Sequence, residues 1–362
     1  MIPAELYYTI YLVIITFMTL IHLSSNRYAF AITIKKIQVY PTLLFTVLMT
    51  LFIGFRPISD VFADMPGYAM AMVDRRFEGL PITWDSNYLF QPMMAYLSSI
   101  GASERTPIII LAIINFGCTF VAIRKMFPKD VFLAMLVFFG AFSTFGAATN
   151  GLKAGCAAAM FLIAIAYREK WIVSILFLFA SMGFHHSMQL PIAAFILCYF
   201  FKKTKIYLLF WGLCLLLSIA HVTTFMGLFA DFTDEHGADY LLTSADSIYS
   251  EFGGKTGFRY DFVLYSVIPI FIGLIALFKK KIHSVNYQFI LNVYLLINAI
   301  WMICMYASYT NRIAYLSWLL YPVLLIYPFL NMKWGKSSNK ILHYIVLGHL
   351  AFTLFMHIIY YI

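Results

Sequence analysis

The amino-acid sequence predicts an all-α fold: a polytopic integral membrane helical bundle of about 12 transmembrane helices, with two larger extracytoplasmic loops. Three observations carry this expectation. The chain is 62% hydrophobic and 11% charged, far from the composition of a soluble domain. Its apolar residues gather into twelve stretches of 14 to 23 residues. The charges lie between those stretches, and their balance alternates from one gap to the next.

In chain order the expected spans are residues 5–23, 39–55, 106–123, 131–148, 151–166, 171–184, 188–201, 206–228, 262–278, 286–305, 313–331 and 341–360. Several exceed the roughly 18 apolar residues that cross a bilayer, and the shorter ones imply tight packing or a thin local membrane. Alternate gaps, at 24–38, 124–130, 167–170, 202–205, 279–284 and 332–340, hold 17 Lys and Arg against two acids, Asp130 and Glu169. The other side holds 8 basic residues against 14 acids. Basic loops stay cytoplasmic, so both termini and two acidic loops are expected outside the cytoplasm. The net charge of +9 is then a topology signal, and no nucleic-acid partner is expected.

The first five residues lack a basic n-region and no small-residue cleavage site follows, so the first span is expected to be retained. Cys118, Cys156, Cys198, Cys214 and Cys304 all fall inside apolar stretches. No disulfide framework or zinc spacing is legible, which leaves them as small packing residues. No internal repeat or linker divides residues 1–362, and a single transmembrane domain is the simplest description.

The first long loop, 56–105, contains a patch at 87–100 too short to span, expected as an interfacial or re-entrant helix. The second loop, 229–261, carries seven acids, with Gly253-Gly254 as a hinge or turn. Three short turns on the same side matter as much: residues 149–153, 184–187 and 309–312. A helical bundle tends to gather such turns around one mouth.

Eight basic residues are expected on the outer side. Arg75, Arg76, Arg105 and Lys255 read as snorkelling or ion-paired groups. Arg56, Lys153, Arg259 and Arg312 abut span ends, where a lipid headgroup would arrive; Arg259 also has a candidate partner in Asp261 or Glu251. Guanidinium and ammonium groups there suit a lipid-linked phosphate or diphosphate and would stabilise charge as it leaves. His185 and His186, at the apex of a hairpin, are candidate bases, as an imidazole can take a proton near neutral pH. Asp60 and Asp64 are spaced one helical turn apart and can present two carboxylates on one face. No third ligand stands near them, so no metal is expected; Glu235-His236 is a weaker base candidate. His221 and His349 lie inside expected spans as packing or hydrogen-bonding residues. Tyr68, Trp84, Tyr240 and Tyr249 can stack on sugar faces or belong to the aromatic belt.

Several segments together resemble the EpsG-type, Wzy-like family of bacterial polysaccharide polymerases. Gly54-Phe55-Arg56, followed by Asp60, Asp64 and Gly67-Tyr68, resembles the family's Arg–Asp–Tyr opening. Asn150-Gly151-Leu152-Lys153 and Phe184-His185-His186-Ser187 are similar to its Asn-x-x-Arg and Phe-His-x-Ser signatures. Gly257-Phe258-Arg259-Tyr260-Asp261-Phe262 and Asn311-Arg312-Ile313-Ala314-Tyr315 complete the series. The resemblance runs from about residue 40 to 330; the chain departs from it at Lys153, which keeps the charge but not the bidentate fork.

The resemblance implies a GT-C-like membrane glycosyltransferase at the periplasmic face of a bacterial inner membrane, with periplasmic termini. It would join polyprenyl-diphosphate-linked oligosaccharide repeat units of an O-antigen, capsule or exopolysaccharide. His185, His186, Asp60 and Asp64 would be catalytic. Arg56, Lys153, Arg259, Arg312, Asn150, Tyr68, Asp261 and Asn311 would bind diphosphate and sugar. No cofactor is implied, the partners would include membrane lipids and a chain-length regulator, and an O-antigen ligase or a flippase remain the alternatives.

Overall fold

In the computed structural model the described residues are 2–25, 38–78, 87–232, 257–307, 309–332 and 334–361. Trp84, Glu235, His236, Tyr240, Tyr249, Glu251, Gly253, Gly254 and Lys255 lie outside them. Among the described residues every element is helical. The elements are α1 (Tyr7–Ser25), α2 (Val39–Gly54), α3 (Asp64–Glu78), α4 (Phe90–Ser99), α5 (Thr106–Met126), α6 (Val131–Phe139), α7 (Phe142–Thr149), α8 (Leu152–Ala166), α9 (Trp171–Phe184), α10 (Gln189–Phe200), α11 (Thr204–Ile219), α12 (Tyr260–Leu274), α13 (Val285–Ile303), α14 (Thr310–Trp318), α15 (Tyr321–Leu330) and α16 (Ser338–Tyr361).

Six helical segments, counting α14–α15 as one, are long and apolar enough to cross a membrane, or seven if the bent pair α6–α7 is one span. Five more (α2, α8, α9, α11 and the segment His186–Phe200 that includes α10) are apolar but shorter. The stretch read as 206–228 ends sooner: α11 stops at Ile219 and a separate 3-10 segment follows at Met226–Phe232. The loop 56–105 holds two helices. α4 sits where a short helix was expected, and α3, with Pro66 and Gly67 in its first turn, was not foreseen.

The chain divides into two compact units, Met1–His185 with Gly335–Ile362, and His186–Trp334. In the first, α5 packs on α8, α8 on α9 and α2 on α5. Small residues of α8 permit close approach. A Cβ at Gly155 would stand 2.3 Å from the Ala147 carbonyl oxygen and 2.8 Å from Asn115 Nδ2, so only glycine fits.

The most informative feature of this unit is the 72° break between α6 and α7. Breaking a helix frees carbonyls that would otherwise accept bonds within it, and an unmet carbonyl in apolar surroundings costs roughly 2–7 kcal/mol. Each one here has a side-chain donor. His349 Nε2 reaches Val137 O at 3.0 Å, Thr144 Oγ1 donates to Phe138 O at 2.6 Å, Tyr11 OH to Phe139 O at 2.7 Å and Thr353 Oγ1 to Gly140 O at 2.7 Å. Two of those donors come from α16 and one from α1, so distant parts of the chain hold the bend open.

In the second unit α13 is the central helix, against α10, α11 and α14. Its fully buried Asn298 accepts from Trp211 Nε1 (2.8 Å) and donates to Ser266 Oγ (3.1 Å) and Ser317 Oγ (3.0 Å). Trp318 Nε1 also donates to Ser266 Oγ (2.9 Å), and Trp301 Nε1 to Thr310 Oγ1 (3.0 Å). Both ends of the short helix α14 are thereby tied to α12 and α13.

We expect Thr353→Val to lower the melting temperature of the detergent-purified protein, by the roughly 1–3 kcal/mol of an orphaned buried carbonyl. Thr353→Ser, which keeps the hydroxyl, should stay within a degree or two of wild type. Equal melting of the valine and serine variants would show that the break does not depend on this bond.

Candidate functional site

In the first unit Arg56, Asn150, Lys153 and Tyr68 lie about the turn between α7 and α8. Arg56 follows the last turn of α2, and its side chain folds back into the protein with no exposed surface. Nη1 donates to Ile53 O at 2.6 Å and Nη2 to Thr149 O at 3.0 Å. These carbonyls belong to the C-terminal turns of α2 and α7, where helix dipoles present partial negative charge. The Phe62 ring lies 5.0 Å from the guanidinium carbon. Burial pulls the Arg56 pKa down to about 10, partly opposed by Tyr7, so the group stays charged at neutral pH. Its Nε is buried without a partner. Arg56 is therefore a cap that joins two helix ends, closed to solvent in this conformation. A surface clamp was expected at this position.

One residue past Thr149, Asn150 is half-buried, and its Oδ1 is a buried acceptor without a donor. Gly151 then stands just before α8, at an N-terminus with no side-chain cap. Lys153 stands in that first turn, half-buried, with Nζ 5.4 Å from the centre of the Phe90 ring. No acid pairs with it among the described residues. Phe90 is met edge-on by Tyr68 of α3, at 5.5 Å. The turn that leads into α4 also reaches α9, where Leu89 N donates to Gly183 O at 2.8 Å and Tyr88 OH to Phe179 O at 2.6 Å. His185, half-buried and extended, follows directly at the end of α9.

Asp60 and Asp64 do not share a helical turn. Asp60 lies in a 3-10 turn, Asp60–Phe62, and Asp64 begins α3; between them Ala63 adopts φ 34°, which breaks the helical register. Asp60 is exposed and Asp64 half-buried. Arg75 and Arg76 tie α3 to its neighbours, Arg75 through Gln91 Oε1 (2.7 Å) and Arg76 through Ala102 O (2.6 Å) and Glu104 (3.6 Å).

The second unit carries the other candidates. Arg259, buried just before α12, forks onto Asp261: Nε donates to Oδ1 at 3.0 Å and Nη2 to Oδ2 at 2.8 Å. Its guanidinium carbon is 3.5 Å from the Phe262 ring centre, and its backbone N–H points to Met305 Sδ at 3.2 Å. Asp261 is thus the partner of Arg259. Asn311 is half-buried and Arg312 exposed on the first turn of α14, with the Arg312 guanidinium 5.0 Å from the Tyr309 ring; Tyr309 has a left-handed backbone, φ 52°. His186 accepts at Nδ1 from Gln189 Nε2 at 3.2 Å. In that arrangement a neutral ring carries its proton on Nε2, and rotating the Gln189 amide by 180° would instead leave a lone pair there.

His221 lies past the end of α11, with φ 56°, stacked on Tyr306 at 4.1 Å; it is not inside a helix. The five cysteines are unpaired, and no three of His, Cys, Asp and Glu group as a metal would need among the described residues. Sequence reasoning missed Phe62 and Phe90, the aromatic faces behind Arg56 and Lys153. It also missed Gln189, whose i+3 spacing to His186 was a signal that could have found it.

A helical, multi-pass membrane protein with cations and amides at helix ends is the class these features define. The chain belongs to the EpsG family, whose model matches residues 39–362. That is a family of Wzy-like polysaccharide polymerases, so the activity is of the glycosyltransferase-like, polysaccharide-polymerase type. No curated protein and no solved structure matches the chain.

We expect Asp261→Ala to destabilise the protein by about 1.5–3 kcal/mol, because it leaves the Arg259 charge buried and unpaired. The double variant Arg259→Met/Asp261→Ala should recover part of that loss in a thermal melt. A double variant less stable than the two single losses combined would refute the pairing.

Proposed function

We propose that the protein polymerises oligosaccharide repeat units carried on polyprenyl diphosphate, at the periplasmic face of a bacterial inner membrane. The observation that carries this reading is the start of α8. An uncapped helix N-terminus offers backbone N–H groups and positive dipole, and Lys153 adds a full charge with no acid paired to it among the described residues. Diphosphate is the anion such a site suits. Arg56 does not touch it in this reading; it holds the α7 end in place through Thr149 O. In the second unit the exposed Arg312 and its neighbour Asn311 bind the phosphate or sugar of a lipid-linked unit. Tyr68 offers a sugar-stacking face.

The reaction needs a bond formed and a bond broken. A sugar hydroxyl of one repeat unit attacks the anomeric carbon of the other. The bond from that carbon to the diphosphate oxygen breaks, and its electron pair leaves with the diphosphate, whose growing charge Lys153 and the α8 amides stabilise. The hydroxyl proton passes to His185 or His186. Asp60 and Asp64 are weaker candidates because they lie on separate elements. A GT-C-like architecture and twelve crossings go with this reading, which takes the five shorter apolar helices as crossings beside the six or seven longer candidates and puts both termini on one side.

A strain lacking the gene tests the proposal by its surface-glycan gel and its extracted lipid-linked oligosaccharides. We expect single repeat units on the carrier and no ladder. Long lipid-linked polymer would instead mean a ligase, units trapped on the cytoplasmic side a flippase, and an unchanged ladder would end the reading. Arg312→Ala, inserted at wild-type level, should restore less than a tenth of the ladder; full restoration would remove Arg312 from the site.

A further inference from the structure

The second unit carries a charge asymmetry that the proposed chemistry does not use. Residues 186–230 and 262–334 contain no Asp or Glu. Lysines nonetheless crowd two of its turns: Lys202 and Lys203 between α10 and α11 with Lys205 in the first turn of α11, and Lys279, Lys280 and Lys281 between α12 and α13. These turns are far apart in sequence, and Gln288 on α13 joins them. Its Nε2 donates to Lys202 O at 2.9 Å and to Thr204 Oγ1 at 3.0 Å. Ser284 caps the same end of α13 through the Tyr287 N–H.

The lysines on the two turns behave differently. Lys280 is spent within the unit, donating to Trp334 O at 3.0 Å with Nζ 5.1 Å from the centre of that ring. The other five, exposed like Lys280 itself, make no side-chain hydrogen bond or ion pair among the described residues, though Lys203 Nζ stands 5.9 Å from the centre of the Phe201 ring. The backbone turns them outward in an unusual way. The end of α12 widens into a π-helical turn, Ile275–Lys279, and Lys281 then takes a left-handed φ of 51°. Such turns recur at functional positions, and a non-glycine residue with positive φ needs a reason.

Large apolar side chains flank these charges: Phe200 is 78% exposed, Val285 67% and Ile206 45%. A soluble polyanion has no use for such a rim. A lipid does, because acyl chains cover the rim while lysine stems snorkel their ammonium groups to the phosphates. We propose that these two turns form a binding surface for anionic phospholipid headgroups, with Lys202, Lys203, Lys205, Lys279 and Lys281 as the phosphate contacts. The surface stands independently of the polymerase reading.

The test uses the purified full chain, delipidated in detergent, titrated with phosphatidylglycerol or phosphatidylcholine and followed by native mass spectrometry and thermal melting. We expect phosphatidylglycerol to bind at least tenfold more tightly than phosphatidylcholine and to raise the melting temperature by several degrees. Its affinity should fall at least tenfold between 50 and 500 mM salt, as expected of screened exposed charges. Replacing the five lysines with glutamine should abolish the preference, whereas Lys336→Gln/Lys340→Gln, in the first unit, should keep it. Equal binding of both lipids, salt-independent binding, or a retained preference in the glutamine variant would each overturn the proposal. Displacement of phosphatidylglycerol by millimolar glycerol phosphate would also overturn it, by showing a phosphate site indifferent to the lipid. The wild-type salt series decides the matter even if the five-fold variant does not fold.

Discussion

Inside a membrane-spanning protein no water is at hand to meet a broken backbone hydrogen bond, and the first unit is organised around that constraint. The bend between α6 and α7 frees carbonyls at residues 137–140, and His349, Thr144, Tyr11 and Thr353 meet them. Because the bend is satisfied, α7 can leave the direction of α6 and deliver Thr149 to Arg56. The guanidinium then finds two helix C-termini at once. The next residues begin α8 and set Lys153 against Phe90. Substituents at the start of α8 thus owe their placement to side chains nearly 200 residues later in the chain.

The second unit solves a similar problem with side chains alone. Asn298, Ser266, Ser317 and Trp318 form a buried polar network in which the Asn298 amide is fully engaged. A network with its members satisfied specifies one arrangement, whereas a half-satisfied one is costly. Here the arrangement it specifies is the seat of α14, the helix that displays Arg312.

The helical class was legible because hydrophobic stretches and charge gaps are long-range averages that tolerate local error. Each of the twelve stretches contains helix. The bend at Gly140 was hidden because the residues around it are as apolar as a straight span, and the donors that permit it are distant in sequence. Helix α3 was hidden by Pro66, Gly67 and its charges, which read as loop. At the candidate site, the sequence placed Asn150 and Lys153 beside the start of a helix and His185 at the end of another, and the structure has them there. The Arg259–Asp261 pair was among the partners the sequence offered, but the burial of Arg56 was not legible: an arginine beside a span end looks alike in sequence whether it faces substrate, caps two carbonyl ends or pairs with an acid. Burial separates those cases, and burial depends on packing partners such as Phe62 that carry no motif.

The most direct test of the phosphate site proposed at the start of α8 is the affinity of purified protein for a short-chain polyprenyl diphosphate, compared between wild type and Lys153→Gln by titration calorimetry. Loss of one charge-assisted contact, on the order of 1.5–3 kcal/mol, corresponds to roughly a 10- to 150-fold weaker Kd. We expect Lys153→Gln to fall in that range and Lys153→Arg to bind at least as well as wild type. Unchanged affinity in a folded Lys153→Gln protein would contradict the assignment of the leaving diphosphate to this helix end.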